Sequence, residues 1–198
     1  KGLARVFPAK ASVILDYSDP EHSSWMSDGW SFHLVQAGQL QATGTIPQIS
    51  VRAAAVRDPF WNGLKTSDTN EVSSGELDAT GRSGRMVRTP TFKLGNGRMF
   101  YLMRGRSKVY AAVDSHLMLA GPLHKDLIKT LGISMGKNPV WVEHDLREYA
   151  GHRVHIEFGP IKDEPLEILA VVETDESPLY SQRDDLLLWQ GFSDKQSS

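Results

Sequence analysis

Residues 140–158 read VWVEHDLREYAGHRVHIEF, three histidines and four carboxylates in nineteen positions. That density invites a metal or acid/base reading, and the spacing decides against it. Val154, Ile156 and Phe158 alternate with His155 and Glu157, the period of two by which a strand shows one apolar face. His152 and His155 lie three apart, which in a strand sends them to opposite faces, whereas a zinc pair needs two ligands on one face. Trp141 lies between two valines and reads as core. Tyr149-Ala150-Gly151 supplies a turn, so the stretch reads as strand, reversal, strand, with its polar face in solvent.

The same pattern recurs outward in both directions. Runs rich in β-branched and aromatic residues occupy 12–17, 30–36, 48–56, 85–94, 98–105, 108–114, 116–121, 140–146, 152–159 and 166–174, separated by Gly, Pro, Asn, Asp and Ser clusters. Asn96-Gly97 in KLGNGRM is a hairpin-turn signal, and RGRSK (104–108) reads as a turn between two further strands. The fold expected is all-β, a two-sheet antiparallel β-sandwich of the jelly-roll type. Leu123, Leu127, Ile128 and Leu131 in PLHKDLIKTL (122–131) have helical spacing and predict one short internal helix. Ser181 caps a candidate C-terminal helix over 181–192. The domain divides as an N-terminal linker (1–10), the sandwich (11–176) and a C-terminal extension or linker (177–198). Residues 62–84 form a long polar loop.

Composition bounds the chemistry. The chain has 198 residues, a net charge of −2 and no cysteine, which removes disulfides, thiolate metal sites, cysteine nucleophiles and covalent haem attachment from this stretch. No apolar run approaches the ~20 residues that cross a bilayer, so no membrane span is expected. The near-neutral charge and the lack of aromatics interleaved with basics argue against a nucleic-acid partner. Beginning at Lys1, the chain reads as a processed or excised piece of a longer protein.

No phosphate loop or nucleophile elbow is present. A hydrolase built on two carboxylates stays open and would need a cleft holding them about 5–9 Å apart. One distribution stands out: from Ala79 to Val113 there is no acid, while eight of the 22 Lys and Arg residues fall there. Arg85, Arg104 and Arg106 flank loops in that window, where guanidinium groups suit bidentate contacts to carboxylate or sulfate. The other reading is solvated strand-edge cations offset by the acids of 16–28 and 163–176. Trp61 in RDPFWNGL, and Trp30 beside a turn, are candidate stacking platforms. Asp16, Asp19 and Asp28 in a turn-rich segment are candidate calcium ligands without EF-hand spacing; a solvated acidic loop is the alternative.

Residues 83–119, SGRMVRTPTFKLGNGRMFYLMRGRSKVYAAVDSHLML, followed by Trp141 and HDLREYAGHR, resemble the carbohydrate-binding-module-like jelly-roll domain of large planctomycete cytochrome c-type proteins. They are similar, more distantly, to galactose-binding-like and lectin-like β-sandwiches. Ser83, Gly84, Pro90 and Phe92 match the entry strand, Arg104, Gly105 and Asp114 the next hairpin, and Asp145, Leu146, Tyr149, Gly151 and His152 the late turn. The final strand departs from the pattern, with Leu or Ala where relatives carry an Asp.

The resemblance implies a module without catalysis, in an exported protein of the periplasm or cell surface whose haem motifs lie elsewhere. Its expected partners are a polysaccharide, an anionic one given the arginines, and neighbouring domains of the parent chain. Trp61, Trp30, Arg85, Arg104, Arg106 and Asp114 are the expected ligand-binding set, with calcium as a candidate structural ion. The competing reading is an interdomain packing module that binds no sugar.

Overall fold

A computed structural model describes residues 7–8, 10–24, 26–28, 31–41, 48–49, 52–62, 86–114, 127–133, 138–161 and 163–178. The described residues form strands β1 (Ser12–Asp16), β2 (Met26–Asp28), β3 (Phe32–Val35), β4 (Leu40–Gln41), β5 (Gln48–Ile49), β6 (Ala54–Arg57), β7 (Met86–Arg88), β8 (Phe92–Lys93), β9 (Arg98–Val113), β10 (Ile128–Gly132), β11 (Val140–Asp145), β12 (Arg153–Pro160) and β13 (Leu166–Glu173). Two single-turn 3-10 helices, η1 (Pro59–Trp61) and η2 (Arg147–Tyr149), are the helical elements among them, and neither is long enough to cross a membrane. β4 and β5 pair only with each other; the other strands form one antiparallel sheet.

The sheet is organised around β9, sixteen residues long. Its first half pairs with β11 on one edge and β13 on the other; its second half pairs with β10 and β12. Beyond β13 lie β1 and β6, with β3 outside β6; beyond β12 lie β8 and β7, with β2 outside β7. The sheet curls so that the two halves enclose one core. Met99, Tyr101 and Met103 from the first half pack in the same cluster as Val109, Ile156 and Phe158 from the second. The Tyr101 and Phe158 rings meet edge to face at 5.1 Å. The first half is buried on its other face too: Phe100, Leu102, Trp141 and Val172 form a second cluster, with Phe7 edge-on to Trp141 at 5.8 Å.

The curl has a local cause. Gly105 has a φ of 93° midway along β9, and a Cβ there would lie 2.3 Å from the carbonyl oxygen of Pro165. Only glycine lets the backbone take that conformation and approach that closely. A Cβ on Gly132, at the end of β10, would in turn lie 2.3 Å from the Gly105 carbonyl oxygen, so β9, β10 and Pro165 approach closely on the same line.

Several expectations change. RGRSK is the bend within one strand and not a turn between two, because Gly105 absorbs the kink without breaking the ladder. Ile128–Leu131, expected to be helical, lie in β10 and pair with β9, where Ile128 and Leu131 pack against the core. Residues 122–126 and the candidate helix 181–192 lie outside the described residues. Asn96-Gly97 is a turn, with Gly97 at φ 79°, yet it joins no hairpin. β8 pairs with β12 and β9 with β11, and the Glu173 carboxylate holds the turn by accepting from the backbone N–H of Gly95 (2.9 Å) and Gly97 (2.6 Å).

Two consequences are measurable. Gly105→Ala should cost about 2 kcal/mol or more in a urea melt, because a left-handed φ and a backbone clash are imposed together; an unchanged midpoint would sink the account of the curl. Burial holds the Tyr17 and Tyr101 hydroxyls well above the ordinary tyrosine range. A group raised in the folded state contributes its stability below its unfolded value, and loses it as pH rises above that value. Stability should therefore fall as pH passes about 10, the unfolded tyrosine value. Tyr17→Phe and Tyr101→Phe should each flatten that alkaline slope in melts run across pH.

Candidate functional site

Arg104 and Arg106 stand on either side of Gly105, where the sheet folds. Arg104 lies directly across from Glu167 of β13. Its Nε donates to Glu167 Oε2 at 2.9 Å and its Nη2 donates to Glu167 Oε1, a bidentate pair. Arg106 makes the same forked contact to Glu164, with Nε to Oε2 at 3.1 Å and Nη2 to Oε1. A third arginine converges from β6: Arg57, its side chain only 2% exposed, donates to Asp163 Oδ1 at 3.1 Å and to the Glu164 carbonyl at 3.4 Å. Asp163 and Glu164, in the connection to β13, are thus held by two guanidinium groups from two strands, and Glu167, just inside β13, by a third.

A cleft of about 40 Å³ opens beside this cluster, lined by Arg57, Pro59, Asn62, Asp163, Pro165 and Glu167 among others. Its near wall is η1, the helix in RDPFWNGL. Asp58 caps that helix, accepting from the Phe60 N–H at 2.9 Å, and Pro59 presets the first helical φ. The Asp58 N–H donates to the Ser31 carbonyl at 2.9 Å, and the Asn62 N–H to the Pro59 carbonyl at 3.0 Å. So fixed, the helix presents Phe60 with 79% of its surface exposed. Sequence reasoning chose the neighbouring tryptophan. The signal in the sequence is the Asp-Pro start, which caps and presets the turn that carries Phe60.

The other expected residues are spread over the molecule. Trp61 closes η1, but its side chain, that of Asp28 in β2, and all of Trp30 and Arg85 lie outside the described residues. Asp114 follows the end of β9, far along the strand from Arg104. It sits at φ 49° and accepts from the His152 ring at 2.6 Å and the Arg153 N–H at 3.1 Å. Asp16 is buried, accepts from the Ser18 N–H at 2.9 Å and faces Arg52 at 3.4 Å. Asp19 groups instead with Glu21 and His22, three potential ligand atoms within 4.8 Å of one another.

The polar face of β12 is not in solvent, as its sequence led one to expect. His155 and Glu157 do point away from the core, and their side chains meet at 2.9 Å, but Glu157 is 3% exposed and lies between Arg88 and Tyr110 on the flanking strands. His144 is buried as well, hydrogen-bonded to the Tyr101 hydroxyl at 2.9 Å. Of the three histidines in the stretch, His152 alone is exposed.

No family model matches the chain, and no curated protein does. Among solved structures, the glycoside hydrolase domain of Endo-D from Streptococcus pneumoniae R6 is similar with a TM-score of 0.37 and 14% identity over 77% of this chain. This chain spans 22% of the length of that one.

The two bidentate pairs differ in burial, which gives a test of what holds the fold line. Glu167 leaves a nearly buried Arg104 behind when removed, so Glu167→Ala should cost about 3 kcal/mol in a urea melt, little affected by salt. Glu164→Ala removes a more exposed partner and should cost a fraction of that, shrinking further as salt is added. Equal costs would mean that burial does not set the difference.

Proposed function

We propose that this chain is a non-catalytic carbohydrate-binding module, its curled sheet a two-layer jelly roll, and that Phe60 is a platform for a polysaccharide. The exposed Phe60 ring carries this reading. A phenyl group left in water forgoes ~25 cal/mol for each Å² of apolar surface it could bury. Here it is mounted on a helix pinned by a cap, a proline and a backbone bond from Asp58 to Ser31, so little conformational freedom is lost when a ligand covers it. Sugar rings offer an apolar C–H face to an aromatic and an equatorial fringe of hydroxyls to polar neighbours. The cleft walled by η1 is lined by Arg57, Asp163 and Glu167, which supply both donors and acceptors, as such a fringe requires. Individual contacts of this kind are weak, and affinities from about millimolar to micromolar are expected. The resemblance noted in the sequence supports placing the module within a larger exported protein.

The test is affinity electrophoresis of the chain through gels containing a range of polysaccharides, with and without calcium. At least one should retard it, and Phe60→Ala should weaken that retardation about tenfold, or 1.4 kcal/mol, without lowering the melting temperature. Trp61→Ala reports separately on its neighbour. If no polysaccharide retards the chain, the exposed aromatic is better read as a contact to a neighbouring domain.

A further inference from the structure

We infer that Asn96-Gly97 is a deamidation site whose chemistry the fold shuts off through the Glu173 carboxylate, so that the chain reacts at this turn only while it is unfolded. An asparagine followed by glycine is open to this reaction because glycine has no Cβ to obstruct the approach of its own nitrogen. The Gly97 nitrogen loses its proton and attacks Asn96 Cγ. An N–C bond forms, the side-chain amide leaves as ammonia, and a five-membered succinimide results. Water then opens the ring at either carbonyl. One opening gives an aspartyl residue; the other gives an isoaspartyl residue, whose backbone runs through the side chain and is longer by one carbon. The balance is asparagine and water in, carboxylic acid and ammonia out.

The folded turn favours one step and blocks another. Asn96 Oδ1 accepts from the Arg98 N–H at 2.8 Å, which polarises the carbonyl that is attacked. The nucleophile is what the fold withholds. The Gly97 N–H donates to Glu173 Oε1 at 2.6 Å, and Glu173 is buried. Removing that proton would set a nitrogen anion against a carboxylate with little water between them to screen the repulsion. Ring closure also requires Gly97 to move, and it is held on its other sides. Its carbonyl accepts from the Leu146 N–H at 2.7 Å. A Cβ on it would lie 2.5 Å from the Leu146 carbonyl oxygen and 2.7 Å from Arg147 Cα. Gly97 is thus bonded through both its N–H and its carbonyl and packed against a second backbone, so reaction has to wait for this contact to open. The same packing excludes the isoaspartyl product. An added backbone carbon shifts Gly97 where its neighbours leave no space, and draws its N–H away from Glu173. A chain that has reacted in this way while unfolded loses the turn between β8 and β9 and does not regain the fold.

The chain carries its own calibration, since Asn62-Gly63 is the same dipeptide and Asn62 is exposed. The full chain is incubated at mildly alkaline pH, in buffer and in urea above its melting midpoint, and modification at positions 96 and 62 is followed by peptide mass mapping. The urea arm gives the intrinsic rate of each site. In buffer Asn96 should react at least about a hundredfold more slowly than in urea. A rate in buffer within about threefold of the urea rate would overturn the protection. Glu173→Gln keeps an acceptor oxygen and removes the charge; in a variant that still folds by circular dichroism, Asn96 should react about tenfold faster in buffer than in the unmodified chain. An unchanged rate would overturn the assignment to Glu173. Hydrogen exchange at the Gly97 N–H of the unmodified chain tests the same contact without a variant, and exchange within about threefold of an unfolded peptide's rate would overturn it. Chains aged in urea and returned to buffer are then separated by size exclusion. Isoaspartyl at position 96 should be depleted at least about tenfold in the folded fraction relative to the misfolded one. Equal amounts in the two fractions would overturn the exclusion of the product.

Discussion

Three backbones converge at Gly105. A Cβ on Gly105 would stand 2.3 Å from the Pro165 carbonyl, and one on Gly132 would stand 2.3 Å from the Gly105 carbonyl. Without that close approach β9 would run on as a flat ribbon, about 50 Å long at a strand's ordinary rise. Its two halves would then need separate cores. With it, Tyr101 on one half meets Phe158 beside the other, and a chain with little helix encloses a single apolar interior. The long strands follow this line: β11 and β13 pair with the first half of β9, and β10 and β12 with the second.

The same convergence determines where charge collects. The connection 161–165 has to pass close to β9, and its acids come within reach of Arg57 and Arg106. Buried ion pairs give little net stability compared with apolar packing, because both partners lose their water. Their effect here is positional: a segment held by forked contacts from β6 and β9 cannot drift away from the fold line. On the outer face of the second half-sheet, Glu157 answers to His155 in a comparable way, and the buried Tyr101–His144 bond satisfies the polar atoms of two rings that would otherwise be costly inside the core.

What was legible in the sequence was whatever has a period of two. The alternation of Val154, Ile156 and Phe158 named the core face of β12 correctly, and Trp141 is buried as its flanking valines indicated. The misreadings share one physical origin. RGRSK has the local composition of a turn, but its partners Glu164 and Glu167 lie about sixty residues away and hold it in a strand. PLHKDLIKTL has helical spacing at Leu127, Ile128 and Leu131, and pairing with β9 overrides it. Asn96-Gly97 does form a turn, but the strands on either side pair elsewhere, because Glu173, 76 residues on from Gly97, fixes the turn between the two halves. Local signals report what a segment can do, and long-range pairing selects among those options.

Register carries this selection to the level of single charges. In a strand without irregularity Glu167 and Glu173, six residues apart, would share a face. β13 slips by one residue against β9 between Ile168, opposite Met103, and Ala170, opposite Leu102. That bulge at Leu169 turns the two glutamates to opposite sides. Glu167 then lies on the outer face with Arg104, balancing a cation beside the cleft. Glu173, opposite Met99, reaches the backbone N–H groups of the 95–97 turn and closes the end of the core. A β13 without the bulge would put one of these carboxylates on the wrong face, leaving either Arg104 unbalanced or the turn without its acceptor. One inserted residue therefore links the closure of the sheet to the pairing of Arg104 with Glu167 beside the cleft.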